Sequence, residues 1–468
     1  MKIGFFAEGC YPYVVGGVSS WTHQLMRHFS GYTFVLHTIV ATPEDCGRFR
    51  YELPPNVTSV LECSLVGAQA NLSRRYKLTQ QEMQALRALV LGEEADWDDI
   101  FRVFDSQRVN ISDFLMSYDF YGLVLELYER SYRQTVFTDF LWTIRSMYAP
   151  LFRVLSSDVE DADVFHSAST GYAGILAVKA ARKYGRPLII TEHGIYTRER
   201  EEEIIKADWT QGVYKDMWIA FFYSLSHCAY RYADRVVSLF EGARSLQTEI
   251  GCPQTKTQVI PNGIQPDLYA QLPQKAPEDP CTYVGSVLRI APIKDVKTML
   301  TAFSFARKKL PMLRLWLLGP TDEDEDYFQE CLEISRALGI EEDVRFWGRV
   351  NVPDYLGKLD IFLLTSISEG QPLSMLEAMA ASVPLIATRV GNCEGLIQGE
   401  RDEYGPCGIP VAVMNTSAVA KAIEQLASDP SLRLLMGLAG RRRVLAEYTA
   451  HQFLNQYQAL YEEMAQRG

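Results

Sequence analysis

The stretch Thr365-Ser-Ile-Ser-Glu-Gly-Gln-Pro-Leu-Ser-Met-Leu-Glu-Ala-Met-Ala-Ala381 decides how this chain is read. The apolar run before it, Asp360-Ile-Phe-Leu-Leu-Thr365, has the composition of a buried parallel strand. A turn follows, and Pro372 opens a helix where a missing N–H costs nothing. Glu369 lies in the turn, and Glu377, inside the helix, shares a sector with the small residues Ser374 and Ala381. Open α/β sheets bind ligands beyond the carboxyl ends of their strands. A helix N-terminus there offers free N–H groups and a positive dipole end to an anion. Carboxylates beside an anion site suit a hydroxyl-rich ligand, because they accept hydrogen bonds from sugar OH groups. Together these point to a sugar joined to phosphate. As a bare pair, the two glutamates read equally well as a solvated turn residue and a helix-surface charge.

The 468 residues exceed one ordinary core, so two large domains are expected. An apolar content of 47% with 22% charged residues is that of a globular chain in water. The net charge, 46 − 58 = −12, comes with no long basic stripe, which argues against a nucleic-acid partner. The run Arg441-Arg442-Arg443 reads as a solvated helix face. Nine cysteines without a C-x-x-C pair argue against a disulfide framework and a structural zinc site, and place the protein in the reducing cytoplasm. Residues 1–9 read as a strand rather than a signal segment. The most apolar later window, Trp218–Leu225, falls well short of the ~20 residues of a membrane span. Any action at the inner membrane would therefore need recruitment by partners.

Strands are expected at Lys2–Glu8, Thr33–Val40 and Thr58–Cys63, with a helix between the first two that turns Val18, Trp21, Leu25 and Phe29 inward. Residues 64 to about 160 break the alternation and read as a helical insertion. The alternation resumes at 163–167, 187–193, 235–239 and 258–260. Pro261–Pro266 and the Pro-rich stretch 271–280 read as a linker. A second series follows at 281–285, 313–318, 344–347, 361–365, 384–387 and 409–412. The last 40 residues are helical, with Phe453, Tyr457, Leu460 and Tyr461 at core spacing. The fold class is α/β: two Rossmann-like doubly wound parallel sheets facing across a cleft, with a helical insertion in the first. The expected boundaries are 1–268, 269–445, and a final helix 446–468 packing back on the first domain.

Arg289 and Lys294 follow the first strand of the second series, and two cations beside a helix N-terminus suit a departing diphosphate. As single residues they also read as solvated loop charges. Gly16 and Gly17 precede a helix, so their backbone can approach a phosphate. His193 ends an apolar strand ahead of Gly194 and can bond a substrate or a developing charge, or be a satisfied structural histidine. His166 at another strand end carries the same pair of readings. The acidic loop Thr321–Asp326 lacks a recognisable metal-binding geometry, and no metal site is assigned.

These residues together resemble glycosyltransferase family 4, the retaining enzymes of the GT-B fold. The likeness spans Pro12…Gly16-Gly17, His193-Gly194, Pro261-Asn262-Gly263, Arg289-x-x-Pro292-x-Lys294 and Glu369-x7-Glu377. It is nearest to the PelF-type glycosyltransferases of bacterial Pel exopolysaccharide synthesis, through Glu8–Trp21, Arg289–Thr298 and the insertion after the third strand. The resemblance implies that Arg289 and Lys294 hold the donor diphosphate, Glu369 the donor sugar's hydroxyls and Glu377 the ribose. Backbone at Gly370, Gln371, Pro372 and Leu373 would meet sugar and phosphate, with Gly16 and Gly17 approaching from the first domain. His193 would face the transferring sugar, and the main chain at Val350 would read the base. The implied reaction is retaining transfer of a hexose or hexosamine from a UDP-sugar to a growing polysaccharide, without cofactor or metal. The implied partners are the donor, the polysaccharide acceptor and membrane-embedded proteins of the Pel apparatus. The family usually has glycine where this chain has Leu288 and Asp295. A GT-B-shaped phosphorylase or epimerase, and a non-catalytic UDP-sugar-binding subunit of a membrane synthase, are the alternative readings.

Overall fold

A computed structural model describes residues 1–67, 77–105, 109–399 and 402–467 of the chain. They divide into two compact units, Met1–Val259 with Gln458–Gly468, and Ile260–Tyr457.

The first unit holds seven strands: β1 (Lys2–Glu8), β2 (Thr33–Val40), β3 (Val57–Ser64), β4 (Val164–Ser167), β5 (Leu188–Glu192), β6 (Arg235–Ser238) and β7 (Thr257–Val259). Their order is β3-β2-β1-β4-β5-β6-β7, and every neighbouring pair is parallel. The second unit holds β8 (Thr282–Val287), β9 (Leu313–Leu318), β10 (Val344–Gly348), β11 (Ile361–Leu364), β12 (Leu385–Thr388) and β13 (Gly408–Val411), in the order β10-β9-β8-β11-β12-β13. Its pairs are also parallel. Both sheets are built from short apolar runs, and their central strands β1, β4, β5, β11 and β12 are buried on both faces, as parallel strands joined by helices must be. In each, the chain runs outward over three strands and then returns to pair beside the first. The reversal points are therefore β1/β4 and β8/β11, where strand ends diverge and leave a crevice.

The residues between β3 and β4 form helices at Gln80–Leu91, Trp97–Phe104, Ile111–Leu115, Tyr118–Leu127 and Phe137–Ser156. Positions 68–76 and 106–108 of the expected insertion lie outside the described residues. The first of these helices starts on a capping box, Thr79 with Glu82. The insertion has an aromatic core in which Phe104 stacks on Phe152 with centroids 4.6 Å apart and Phe114 meets Phe120 at 5.6 Å. The last helix, Ala450–Ala465, buries Phe453, Tyr457, Leu460 and Tyr461. Among the described residues no helix is long and apolar enough to cross a membrane.

One residue of the arginine run departs from its expected role, while Arg442 is exposed as expected. Arg443 is 1% exposed rather than solvated. It pairs with Asp402 at 2.5 Å and donates to the carbonyls of Leu396, Ile397 and Gln398, the orphan acceptors at the end of the helix Cys393–Gln398. A buried guanidinium is tolerable there because its donors are shared between a carboxylate and a helix C-terminus.

Candidate active site

In the second unit, β8 and β11 lie side by side, Ile361 paired with Val284 and Phe362 with Gly285. The segments that leave the carboxyl ends of these two strands therefore meet at one place. After β8 a short 3-10 turn, Pro292–Lys294, brings Lys294 back over the sheet edge. Thr365, just past β11, fixes that turn by donating to the carbonyls of Lys294 and Asp295, both at 3.0 Å. Asp295 sits at φ 47°, a left-handed conformation that explains the family's usual glycine. Aspartate adopts it and also accepts from Thr298 N, capping the helix Val296–Lys309.

Lys294 Nζ reaches Glu369 Oε1 at 2.5 Å, and Ser366 Oγ donates to the same oxygen at 2.6 Å. The pair is largely buried, the side chains 17% and 11% exposed. Gly391, at φ 50°, packs against the carbonyls of Glu369 and Gly370, where any Cβ would collide with backbone. The Glu369 turn is thus clamped from both sides. The helix Leu373–Ala380 begins beside it with Pro372 as N-cap, one residue later than expected. It carries no side-chain cap and no acid in its first turn, so among the described residues no side chain takes the N–H groups of Leu373 and Ser374 at this positive dipole end.

Glu377 lies on the same helix and is hydrogen-bonded by Tyr269. Burial pushes its carboxyl up to about 7, against the bond from Tyr269. Gln371 is buried and its Oε1 accepts from Asn262 N at 2.7 Å. A backbone N–H only donates, which fixes the amide's orientation and leaves Gln371 Nε2 a buried donor with no partner among the described residues. Asn262 Oδ1 is likewise an unused acceptor. Asn262, expected in a linker, is therefore part of this site.

Arg289 is placed less centrally. It pairs with Glu323 at 2.7 Å and is about half exposed. The neighbouring Asp322 pairs with Arg349 at 3.0 Å, and Asp324 caps the helix Glu325–Ala337. The acidic loop is thus occupied by arginines and a helix start. Among the described residues no three His, Cys, Asp or Glu side chains gather as metal ligands. Val350 follows β10 and Gly348, whose φ of 68° turns the chain at the strand end.

In the first unit, Gly16 and Gly17 stand at the start of the helix Gly17–His28, which also lacks a side-chain cap and a first-turn acid. A Cβ at either glycine would meet nothing within 4 Å. Packing does not demand glycine there, and the space over the helix start is open. His193 follows β5, with the Trp21 ring 4.5 Å away and edge-on. Burial holds its imidazole down at about 4, so it is neutral near pH 7, and Nε2 has no partner among the described residues. His166 instead uses both nitrogens, Nδ1 with Tyr461 OH at 2.6 Å and Nε2 with Thr191 Oγ1 at 2.8 Å, and is structural.

Two carboxylates escaped the sequence reading. Glu192, immediately before His193, accepts from Tyr230 OH at 2.6 Å, Gln247 Nε2 at 2.9 Å and Thr170 Oγ1 at 3.1 Å. Glu8, at the end of β1, accepts from Ala173 N and Tyr196 OH, each at 3.1 Å. Burial raises both. The available signal was a charged residue closing an otherwise apolar strand, in Phe5-Phe-Ala-Glu8 and Ile189-Ile-Thr-Glu192.

Two uncapped helix starts at the reversal points of two parallel sheets, one with a lysine–glutamate pair, define the class. The fold is that of the GT-B glycosyltransferases, and residues 280–429 match the family model described as Glycosyl transferases group 1. The chain belongs to the family described as Domain of unknown function (DUF3492), whose model matches residues 1–255. N-acetyl-alpha-D-glucosaminyl L-malate synthase of Bacillus anthracis is 32% identical over 37% of this chain and 43% of its own length. The MMP alpha-(1->4)-mannosyltransferase of Mycolicibacterium hassiacum is 23% identical over 67% of this chain and 74% of its own. Among solved structures, Anabaena Alr3699/HepE in complex with UDP superposes with a TM-score of 0.62 at 14% identity, covering 99% of this chain and all of that one. Sucrose-phosphate synthase of Thermosynechococcus elongatus gives 0.63 at 15% identity, over the whole of both chains. These structural likenesses carry the fold.

Proposed function

We propose that the protein is a retaining glycosyltransferase that transfers a hexose or hexosamine from a UDP-sugar to a growing polysaccharide. The observation that carries this is the Lys294–Glu369 pair beside the open N–H groups of Leu373 and Ser374. A cation and a dipole end suit the diphosphate, and a clamped carboxylate suits the sugar hydroxyls. In this reading Glu377 would take the ribose hydroxyls, the main chain at Val350 the base, and Gln371 Nε2 a ligand oxygen. Arg289 would exchange Glu323 for phosphate, at small cost because an exposed ion pair is worth only ~0–1 kcal/mol. The complexes of Alr3699/HepE with UDP and with UDP-glucose support a uridine diphosphate donor.

In the proposed reaction an acceptor hydroxyl attacks C1 of the donor sugar on the face from which UDP departs. The C1–O bond breaks with its electron pair passing to the leaving phosphate, and the acceptor's proton goes to a phosphate oxygen. Lys294 and Arg289 neutralise the charge that develops, so the reading needs no metal and no cofactor. In the first unit, His193, neutral and with a ring nitrogen that has no partner among the described residues, would suit a sugar hydroxyl, and the open helix start at Gly16 and Gly17 would suit a phosphate. The polymer of the PelF-type enzymes, a cytoplasmic site and recruitment by membrane-embedded Pel proteins belong to the same proposal. The test is UDP release from UDP-glucose, UDP-galactose, UDP-GlcNAc and UDP-GalNAc, each with and without cell-derived polysaccharide. Acceptor-stimulated release from one donor is the expected result. Donor binding without release would make the chain a non-catalytic subunit.

A further inference from the structure

The sheet of the second unit leaves part of one face bare. Along β9, Leu313 and Leu315 are buried while Arg314 and Trp316 are half-covered. Register places Tyr283 beside Arg314 and Arg345 beside Trp316, so with Trp347 these five side chains share one face of β8, β9 and β10. The opposite face is covered by helices, as in the contact of Phe328 with Phe346 at 5.3 Å. The open face is bare because the connection from β10 to β11 contains only the four-residue helix Pro353–Leu356. That is too short to cover three strands.

An aromatic cluster fills this place. Trp316 lies 4.4 Å from Tyr283 and 5.5 Å from Trp347, and Trp347 lies 4.7 Å from Tyr355, all between ring centroids. The rings are tilted, by 49°, 77° and 60°, and so wall a concavity of about 480 Å³ rather than a flat patch. The Arg345 guanidinium is stacked on Trp347 at 3.8 Å. Asp343 is held by Arg307 and Arg314, at 2.7 and 3.1 Å. The charged groups left to the concavity are Arg345, Lys358, Glu342 and Asp354, two of each sign.

We propose that this concavity binds a segment of neutral glycan, away from the crevice of Lys294 and Glu369. Ring faces suit the C–H face of a pyranose, while guanidinium and carboxylates bond its hydroxyls as donors and acceptors. The volume is that of a small-ligand site. Balanced charge disfavours a phosphorylated ligand, and charged walls around tilted rings disfavour a flat protein interface. The occupant is a stretch of the polysaccharide being elongated, which rests on the proposed transferase reading. The site would retain the polymer between transfers.

The experiment titrates the full chain with maltotetraose, cellotetraose and N-acetylglucosamine tetrasaccharide, following tryptophan emission and heat. At least one is expected to bind with a change in emission, weakened about tenfold or more in Tyr355→Ala and Arg345→Ala. Both substitutions lie at the rim and leave the fold, shown by unchanged thermal unfolding, and UDP affinity intact. Binding of none of the three, or equal binding by both variants, overturns the inference. UDP binding in the same preparations keeps the outcomes apart: its loss in the wild-type chain defeats the transferase reading, and its presence without glycan binding defeats this inference alone.

Discussion

Lys294 Nζ lies 2.5 Å from Glu369 Oε1, joining the ends of two strands whose starts are far apart in sequence. Parallel pairing of β8 with β11 makes that contact, and Ser366 and the close approach of Gly391 hold it. A carboxylate so restrained is suited to orient a sugar. Glu369→Ala is expected to lower turnover by roughly 10²–10³-fold, the usual cost of removing one preorganised polar group. The melting temperature should fall, since Lys294 is left largely buried without its carboxylate. Turnover is therefore compared at a temperature where the variant's circular dichroism shows it folded. Near-normal turnover in the variant would refute the role.

Glu377 supplies a pH dependence. Its ordinary value is 4.5 and burial raises it to about 7 in the folded chain. The folded state therefore binds the extra proton between these values, and the stability it contributes at low pH is lost as pH rises through about 7. Glu377→Gln should unfold at a higher temperature relative to the wild type at pH 8 than at pH 5. The ionised carboxylate is the better acceptor for ribose hydroxyls, so UDP affinity should rise more steeply from pH 6 to 8 in the wild type than in the variant, where only the second ionisation of the UDP phosphate, at about 6, remains. Calorimetry at three pH values decides it, and parallel profiles for the two proteins would contradict it. His193, held at about 4 against an ordinary 6.5, adds stability to both proteins alike as pH rises between those values, and so cancels in the comparison.

Gln371 ties the site to Asn262 through a buried bond of 2.7 Å. Gln371→Ala leaves the Asn262 N–H without its acceptor and should destabilise the protein by about 1–3 kcal/mol. Loss of the free amide donor should also raise KM for the donor sugar. A melting temperature and a KM both within error of the wild type would remove Gln371 from the site.

All thirteen strands among the described residues were legible in the sequence, because short apolar runs between helical patterns admit few other readings. Lys294, Glu369 and Glu377 were legible for a similar reason: strand ends and a helix start fix where such residues go. The rest depends on contacts between residues distant in sequence. Asn262 lies in a stretch that reads as linker and Tyr269 between the two such stretches, and only the packing of the segment 260–269 reveals them as partners of Gln371 and Glu377. Arg443 reads as solvated because its carbonyl acceptors Leu396 and Ile397 lie 47 and 46 residues earlier. The bare face around Trp316 follows from the brevity of one connection, which periodicity does not register.

Cationic side chains are proposed to do what a divalent ion does in other sugar transfers. EDTA should leave the rate of UDP release unchanged, and added Mg²⁺ should not raise it. A rate that falls on chelation and returns with Mg²⁺ would count against the proposal.

The most direct measurement is calorimetric titration of UDP into the wild-type chain and into Lys294→Ala. Saturable one-to-one binding that weakens at least about tenfold in the variant is the expected result, since a charge-assisted bond to phosphate is worth roughly 1.5–3 kcal/mol. Absence of binding to the wild type, or equal affinity in both proteins, would contradict the account.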